Sequence, residues 1–258
     1  MNRIALHQST VHPLDPVDLV DVAAQAGLDS IGLRVGASDE VGHWWAKGLG
    51  SAMLRDLVAA LLDSRVTVLD VGRVELGPEL RVLDGQQPYV RVLELGVRLG
   101  AQFVTARACA GGADDVHELF ALLAELAGRY RLRPLMTAVP GTPAATLAEA
   151  VAAVAGTGGG VVLDVPAGRY GDADEVDEHV VELGDRLGYV RVPARDLERG
   201  ALPPGLLATL PPQVPVAVGG APDGGPDGSI DADHIPRARA LRAAVDALLR
   251  HPGAAPLR

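Results

Sequence analysis

The stretch "VVLDVPAGRYG", Val161 to Gly171, holds the pattern on which the reading of the chain rests. Three apolar β-formers run into an aspartate, Asp164, and the chain then turns through Pro166 and Gly168. A short apolar run bounded by turn residues reads as a strand buried on both faces. A carboxylate at the end of such a strand stands where α/β proteins place their sites.

Working outward, seven more runs of this kind appear: "RIALH" (3–7), "SIGLR" (30–34), "VTVLD" (66–70), "QFVTAR" (102–107), "RPLMTA" (133–138), "YVRVP" (189–193) and "VPVAVG" (214–219). Helical patterns separate them. "DPVDLVDVAAQAGL" opens with Asp15 as N-cap and Pro16 at the first helical position. "RDLVAALLDS", "PYVRVLELGVRLG", "DDVHELFALLAELAGRY", "TLAEAVAAVAG" and "IPRARALRAAVDALLRH" repeat apolar residues every three or four positions. Strands alternating with helices imply parallel βαβ units. An open doubly wound sheet would carry a glycine-rich phosphate loop after its first strand, and "LHQSTVHP" (6–13) has none. Eight units in 258 residues predict an α/β fold, a closed (β/α)8 barrel, as one domain over 1–258.

Composition narrows the function. The formal net charge of −10 argues against nucleic acid as a partner. The apolar runs are short and broken by charge, so no membrane span is expected, and no signal peptide is seen in "MNRIALHQST". The single cysteine, Cys109, excludes an internal disulfide and a cysteine zinc cluster. A cytoplasmic protein is expected, for which a homodimer is compatible. Lys47 is the only lysine and lies in the polar stretch "HWWAKGLG", which disfavours Schiff-base catalysis.

In order and spacing, "AAQAGLDSIGLR", "VLELGVRLGAQFV", "TLAEAVAAV", "GVVLDVPAGRYG" and "LPPQVPVAV" resemble the sugar phosphate isomerase/epimerase family, whose fold is a xylose isomerase-like TIM barrel. The resemblance covers the whole chain. It implies a divalent metal in the barrel mouth, held by a glutamate on strand five, an aspartate and nearby histidine on strand six, a histidine or glutamine on strand seven and a glutamate on strand eight. This chain keeps Asp164 but has Thr137, Ala167, Arg191 and Gly219 at the other places. On strand three it keeps Asp70 but has Gly72 where a glutamate is common. Magnesium or manganese wants about six ligands including water. Arg191 would also repel a cation: unit charges about 4 Å apart interact by roughly 4 kcal/mol at an effective dielectric near 20, and a dication doubles that. No metal and no other cofactor is expected.

Active sites of this fold lie at the carboxyl ends of the strands. The polar residues there are His7, Gln8, Arg34, Asp70, Arg73, Arg107, Thr137, Asp164, Arg169 and Arg191. Arginine binds carboxylate or phosphate through paired donors. The cluster therefore reads either as a pocket for an anionic small molecule or as ion pairs that neutralise Asp70 and Asp164. His7 can exchange protons near neutrality, or it is a hydrogen-bonded wall residue. Asp164 is a base, or it holds His7 or an arginine in place. Trp44 and Trp45 cover a ligand or anchor a loop. Cys109 reads as a small packed residue. The Gly/Pro-rich stretch 219–233 reads as a loop.

The expected function is a metal-independent isomerase, epimerase or lyase acting on a small oxygenated anion. Catalysis would fall to His7, Asp164 and Arg191, and substrate binding to Arg34, Asp70, Arg107, Thr137, Arg169 and Trp44. Two alternatives stand beside it. One is a cyclase or dehydratase of specialised metabolism, in which Trp44, Trp45, Met136 and Tyr170 matter most. The other is a non-catalytic ligand-binding barrel.

Overall fold

The structure is a computed structural model, described over residues 2–11, 14–35, 51–109, 111–170, 172–220 and 233–250. His43, Trp44, Trp45 and Lys47, and most of the loop 219–233, lie outside these residues.

Eight parallel strands close in chain order: β1 (Ile4–His7), β2 (Ser30–Arg34), β3 (Thr67–Leu76), β4 (Phe103–Ala108), β5 (Arg133–Met136), β6 (Gly160–Asp164), β7 (Leu187–Pro193) and β8 (Val216–Gly219). Around them run α1 (Pro16–Ala26), α2 (Ala52–Ser64), α3 (Gln87–Leu99), α4 (Ala113–Arg129), α5 (Leu147–Val154), α6 (Ala173–Leu183), α7 (Ala194–Glu198) and α8 (His234–Leu248). Asp15 caps α1 as its sequence predicts, accepting from the N–H groups of Val17 and Asp18 at 2.9 and 3.0 Å. Gly27 ends that helix at φ 74°, a left-handed conformation open to glycine at little cost.

Three elements depart from the sequence reading: β3, α6 and the five-residue α7, which no helical pattern marked. β3 runs on to Leu76, because register shifts between Ile31 and Gly32 and between Gly72 and Val74 keep it paired with both neighbours. Gly72, past the end of the strand read over 66–70, sits inside β3, where a Cβ would lie 2.0 Å from Thr105 Oγ1. α6 is a helix that the apolar pattern understates. Its buried stripe is only Val176, Val180 and Leu183, among five acidic residues.

Strand alternation divides the core in two. Ile4, Leu6, Ile31, Leu33, Val161 and Leu163 belong to the layer packed with the helices. Ala5, Leu69, Leu135, Val162, Tyr189 and Ala217 form a second cluster, with Phe103 packed against it, that fills the barrel interior. The small Ala5 and Ala217 leave room for Tyr189 and Phe103, whose ring centroids are 6.0 Å apart. This plug is the floor of the site.

Candidate active site

The residues one alternation above the floor are polar. His7 follows Ala5, Thr137 follows Leu135, Asp164 follows Val162 and Arg191 follows Tyr189, each by two positions. A period of two keeps each pair on one face, so the layer toward the strands' carboxyl ends gathers these side chains.

Asp164 and Arg191 are register partners on β6 and β7. Arg191 donates from Nε to Asp164 Oδ1 at 2.5 Å and from Nη2 to Oδ2 at 2.8 Å. Both are buried, at 6% and 7% exposure, so the pair is shielded from water. Burial alone would pull the guanidinium's pKa down. The Asp164 charge and hydrogen bonds outweigh it, and the direction is up. Gly219 makes the arrangement fit. A Cβ there would lie 2.8 Å from Arg191 Cδ and 3.1 Å from Cγ, so the arginine stem occupies the space a side chain on β8 would need. The glycine and the arginine, two separate oddities in the sequence, are one packing solution.

A second polar group lies on the other side of Gly219, whose Cβ position is 3.9 Å from His7 Cβ. His7 Nε2 lies 3.8 Å from Asp70 Oδ2, and the side chains are 11% and 0% exposed. Asp70 Oδ2 also accepts from Tyr189 Oη at 3.4 Å and from Thr105 Oγ1 at 3.5 Å. Its Oδ1 has no hydrogen-bond partner among the described residues. Gly32 explains how it is hemmed in: a Cβ there would lie 2.5 Å from that oxygen and 2.4 Å from His7 Cδ2. Desolvation, reinforced by the Asp70 charge, pushes the Tyr189 phenol well above its ordinary value, so it stays a neutral donor. On the other ring edge, Ser9 Oγ lies 3.0 Å from His7 Nδ1.

The remaining sequence candidates are dispersed. Arg34 ends β2 half-buried, and its backbone N–H donates to Gln8 Oε1 at 3.0 Å. Thr137 is fully buried and its hydroxyl donates to the Ala106 carbonyl at 3.0 Å, which commits its proton to the wall. Arg107 pairs with Glu75, its register partner on β3. Arg169 is exposed on the loop after β6, its guanidinium carbon 5.7 Å from the Tyr170 ring centroid. Met136 and Tyr170 pack in the layer between barrel and helices, so they do not belong to the interior cluster. Cys109 is exposed rather than packed. Partial desolvation and the Glu75 charge raise its thiol pKa, which is the wrong direction for a nucleophile. Trp44 lies outside the described residues.

Ser9, Gly32, Thr105 and Tyr189 are site neighbours that sequence reasoning missed. The signal for two of them was present: Tyr189 and Thr105 share the strand face of Arg191 and Arg107 by period two.

The residues at the mouth do not fit a divalent metal. Each oxygen of Asp164 accepts a hydrogen bond from Arg191, the Thr137 hydroxyl is directed at a carbonyl, and Gly219 and Ala167 offer no side-chain donor atom. Among the described residues no three His, Cys, Asp or Glu side chains group so that they could hold a metal ion. None of the described helices is long and apolar enough to cross a membrane.

The chain has a TIM-barrel fold like that of xylose isomerase-like proteins. Among solved structures it is similar to the IolI protein with a bound zinc atom, at a TM-score of 0.71 and 13% identity, covering 96% of this chain and 98% of that one. A xylose isomerase domain-containing protein from Salmonella typhimurium LT2 matches at 0.62 and 11%, over 96% and 98%. The family 2 AP endonuclease of Brucella melitensis matches at 0.59 and 14%, over 89% and 95%. At such identities the likeness establishes the fold. No family model and no curated protein matches the chain.

Proposed function

We propose that the chain is a proton-transfer enzyme, an isomerase, epimerase or lyase, that acts on a small oxygenated anion without a bound metal. The observation that carries this reading is the His7–Asp70 pair. An imidazole at the mouth stands 3.8 Å from a carboxylate buried to 0% exposure, a setting that invites acid/base chemistry. His7 is the catalytic residue. Asp70 is too deep to touch a substrate and acts on His7 through its charge. Of the two roles the sequence reading left open for Asp164, base or anchor of an arginine, it takes the second and holds Arg191. The Asp164 pair uses two of the five guanidinium N–H donors, and the other three are available in number for a substrate anion. A fixed guanidinium would stabilise developing enolate charge, a preorganised electrostatic role. Likeness to barrels named for isomerases supports the reaction class.

The test is solvent deuterium uptake at carbons next to a carbonyl, read by NMR. The panel is small hydroxy-ketones, hydroxy-acids and sugar phosphates. The parent should exchange or eliminate on at least one substrate, and His7→Gln should slow that by about 10²- to 10⁴-fold. A parent inert toward the whole panel, or a His7→Gln variant as fast as the parent, would reject the reading.

One observation favours a ligand-binding barrel instead. Arg191 with Asp164, and Arg107 with Glu75, neutralise each other. A panel compound that raises the melting temperature without being converted would select that second reading.

A further inference from the structure

The geometry points to Ser9 as the positioning residue that holds neutral His7 in its Nε2–H tautomer, so that His7 meets a substrate oxygen as a hydrogen-bond donor. The part of this that concerns a substrate rests on the proton-transfer reading above. The tautomer itself does not.

Ser9 belongs to the short 3-10 turn Gln8–Val11 that follows β1 directly. That turn is tied on three sides. Gln8 Nε2 donates to the Leu14 carbonyl at 3.2 Å, and Gln8 Oε1 accepts from the Arg34 N–H at 3.0 Å. Thr10 Oγ1 donates to the Val218 carbonyl at 3.0 Å, and the Gly220 N–H donates to Ser9 Oγ at 3.0 Å. Gln8, Ser9 and Thr10 are all buried. The position of Ser9 is therefore fixed by β2, β8 and the turn, independently of the imidazole.

Two groups of Ser9 converge on His7 Nδ1: its hydroxyl oxygen at 3.0 Å and its backbone N–H at 3.4 Å. A backbone N–H can only donate, so Nδ1 must present a lone pair. The hydroxyl agrees with this. Its oxygen already accepts from Gly220, so its own proton is free to point along the line to Nδ1. A neutral imidazole with an acceptor at Nδ1 carries its proton at Nε2.

Nε2 lies on the Asp70 side, yet 3.8 Å is too long for a hydrogen bond to that carboxylate. The Nε2–H is thus a poised donor. Its complement is a substrate oxygen that gains negative charge, such as a carbonyl becoming an enolate. Removing a proton from carbon would need the opposite tautomer, with Nε2 bare. In the proposed reaction His7 therefore stabilises the developing enolate oxygen by hydrogen bonding, and the proton leaving carbon passes to solvent water at the mouth.

The test is nitrogen-15 NMR of the histidine rings in the full-length labelled protein, at a pH where His7 is neutral. The His7 signals are assigned by their loss in His7→Gln. The expected result is a protonated, pyrrole-like Nε2 and an unprotonated, pyridine-like Nδ1. Ser9→Ala should move the Nδ1 resonance toward that of a free imine nitrogen, and Ser9→Thr should restore it. A pyrrole-like Nδ1 in the parent, or an Nδ1 resonance unmoved in a folded Ser9→Ala, would overturn the inference. Should Ser9→Ala fail to fold, the parent spectrum alone decides. A His7→Gln variant as active as the parent would instead remove the proton-transfer reading and leave the tautomer standing.

Discussion

Arg191 and Asp164 sit opposite each other on adjacent strands, joined by two hydrogen bonds of 2.5 and 2.8 Å in a site from which water is nearly excluded. Such a pair is costly to break from one side only, because the partner is left as a buried, uncompensated charge. Arg191→Ala should lower the unfolding free energy by about 3–5 kcal/mol, a large part of the roughly 5–15 kcal/mol that holds a typical domain together. Replacing both residues with apolar ones, as in Arg191→Met with Asp164→Leu, should recover most of the loss. Arg191→Lys should fall between, since lysine lacks the planar fork. Urea titrations of the variants check this. A single Arg191→Ala as stable as the parent would show that the pair contributes nothing.

The same pair sets the expectation for metals. A dication beside Asp164 would have to displace Arg191 or tolerate its charge, and the β8 place that would supply an acid is Gly219. Elemental analysis of the purified protein should find no stoichiometric manganese, zinc or magnesium. EDTA should leave the melting temperature unchanged. One tightly held metal ion per chain would refute the prediction.

Two glycines should respond in opposite directions to the same substitution. At Gly32 an added Cβ would meet His7 Cδ2 at 2.4 Å and Asp70 Oδ1 at 2.5 Å, on side chains that are nearly or fully buried. Gly32→Ala should cost about 1–3 kcal/mol through overpacking and should displace the His7–Asp70 pair. At Gly128 nothing lies within 4 Å of an added Cβ, and the residue sits exposed in α4. Gly128→Ala should stabilise by about 0.5–1 kcal/mol through lost backbone entropy in the unfolded chain and better helix propensity. Thermal melts of the two variants shifting the same way would contradict this.

Acid stability should depend on Arg81. Its guanidinium hydrogen-bonds Glu118 and, at 2.8 Å, Asp115. These bonds hold both carboxyls below their ordinary values, with the Gly112 N–H adding to the effect at Asp115. A depressed carboxyl pKa contributes stability above the unfolded value and loses it as pH falls through the folded one. The unfolded values lie near 3.9 for aspartate and about 4.3 for glutamate. The gap in urea midpoint between parent and Arg81→Gln should therefore be largest near neutrality. It should close as the pH drops through and below about 4, and salt should shrink it because all three groups face water. A gap that is constant with pH would assign Arg81 a packing role instead.

Strand and helix positions were largely legible in the sequence because they follow from local periodicity. "SIGLR" and "GVVLD" occupy β2 and β6 with the ends their sequences predict. The Asp15–Pro16 start of α1 was equally plain. What was missed locally had a local cause. The acidic residues of α6 dilute its apolar stripe, and the five residues of α7 are too few to show a helical period. The polar strand ends were also visible, and with them His7, Asp164 and Arg191 as members of one mouth.

The Asp164–Arg191 pair was among the readings the sequence offered, but which of the alternatives holds, and what stands beside His7 and Asp70, were not visible, because they are set by register and by the space neighbours leave. The sequence determined that Asp164 and Arg191 end adjacent strands. The closed barrel decided that they are level with each other, and that Gly219 frees the volume in which the arginine lies. Asp70 was a strand-end acid in the sequence. A bulge in β3 turns it inward beneath His7, beside a tyrosine 119 positions away. Local pattern depends on neighbours along the chain, which the sequence contains. The pairing of charges depends on distances across a closed sheet, which exist only once all eight strands have met.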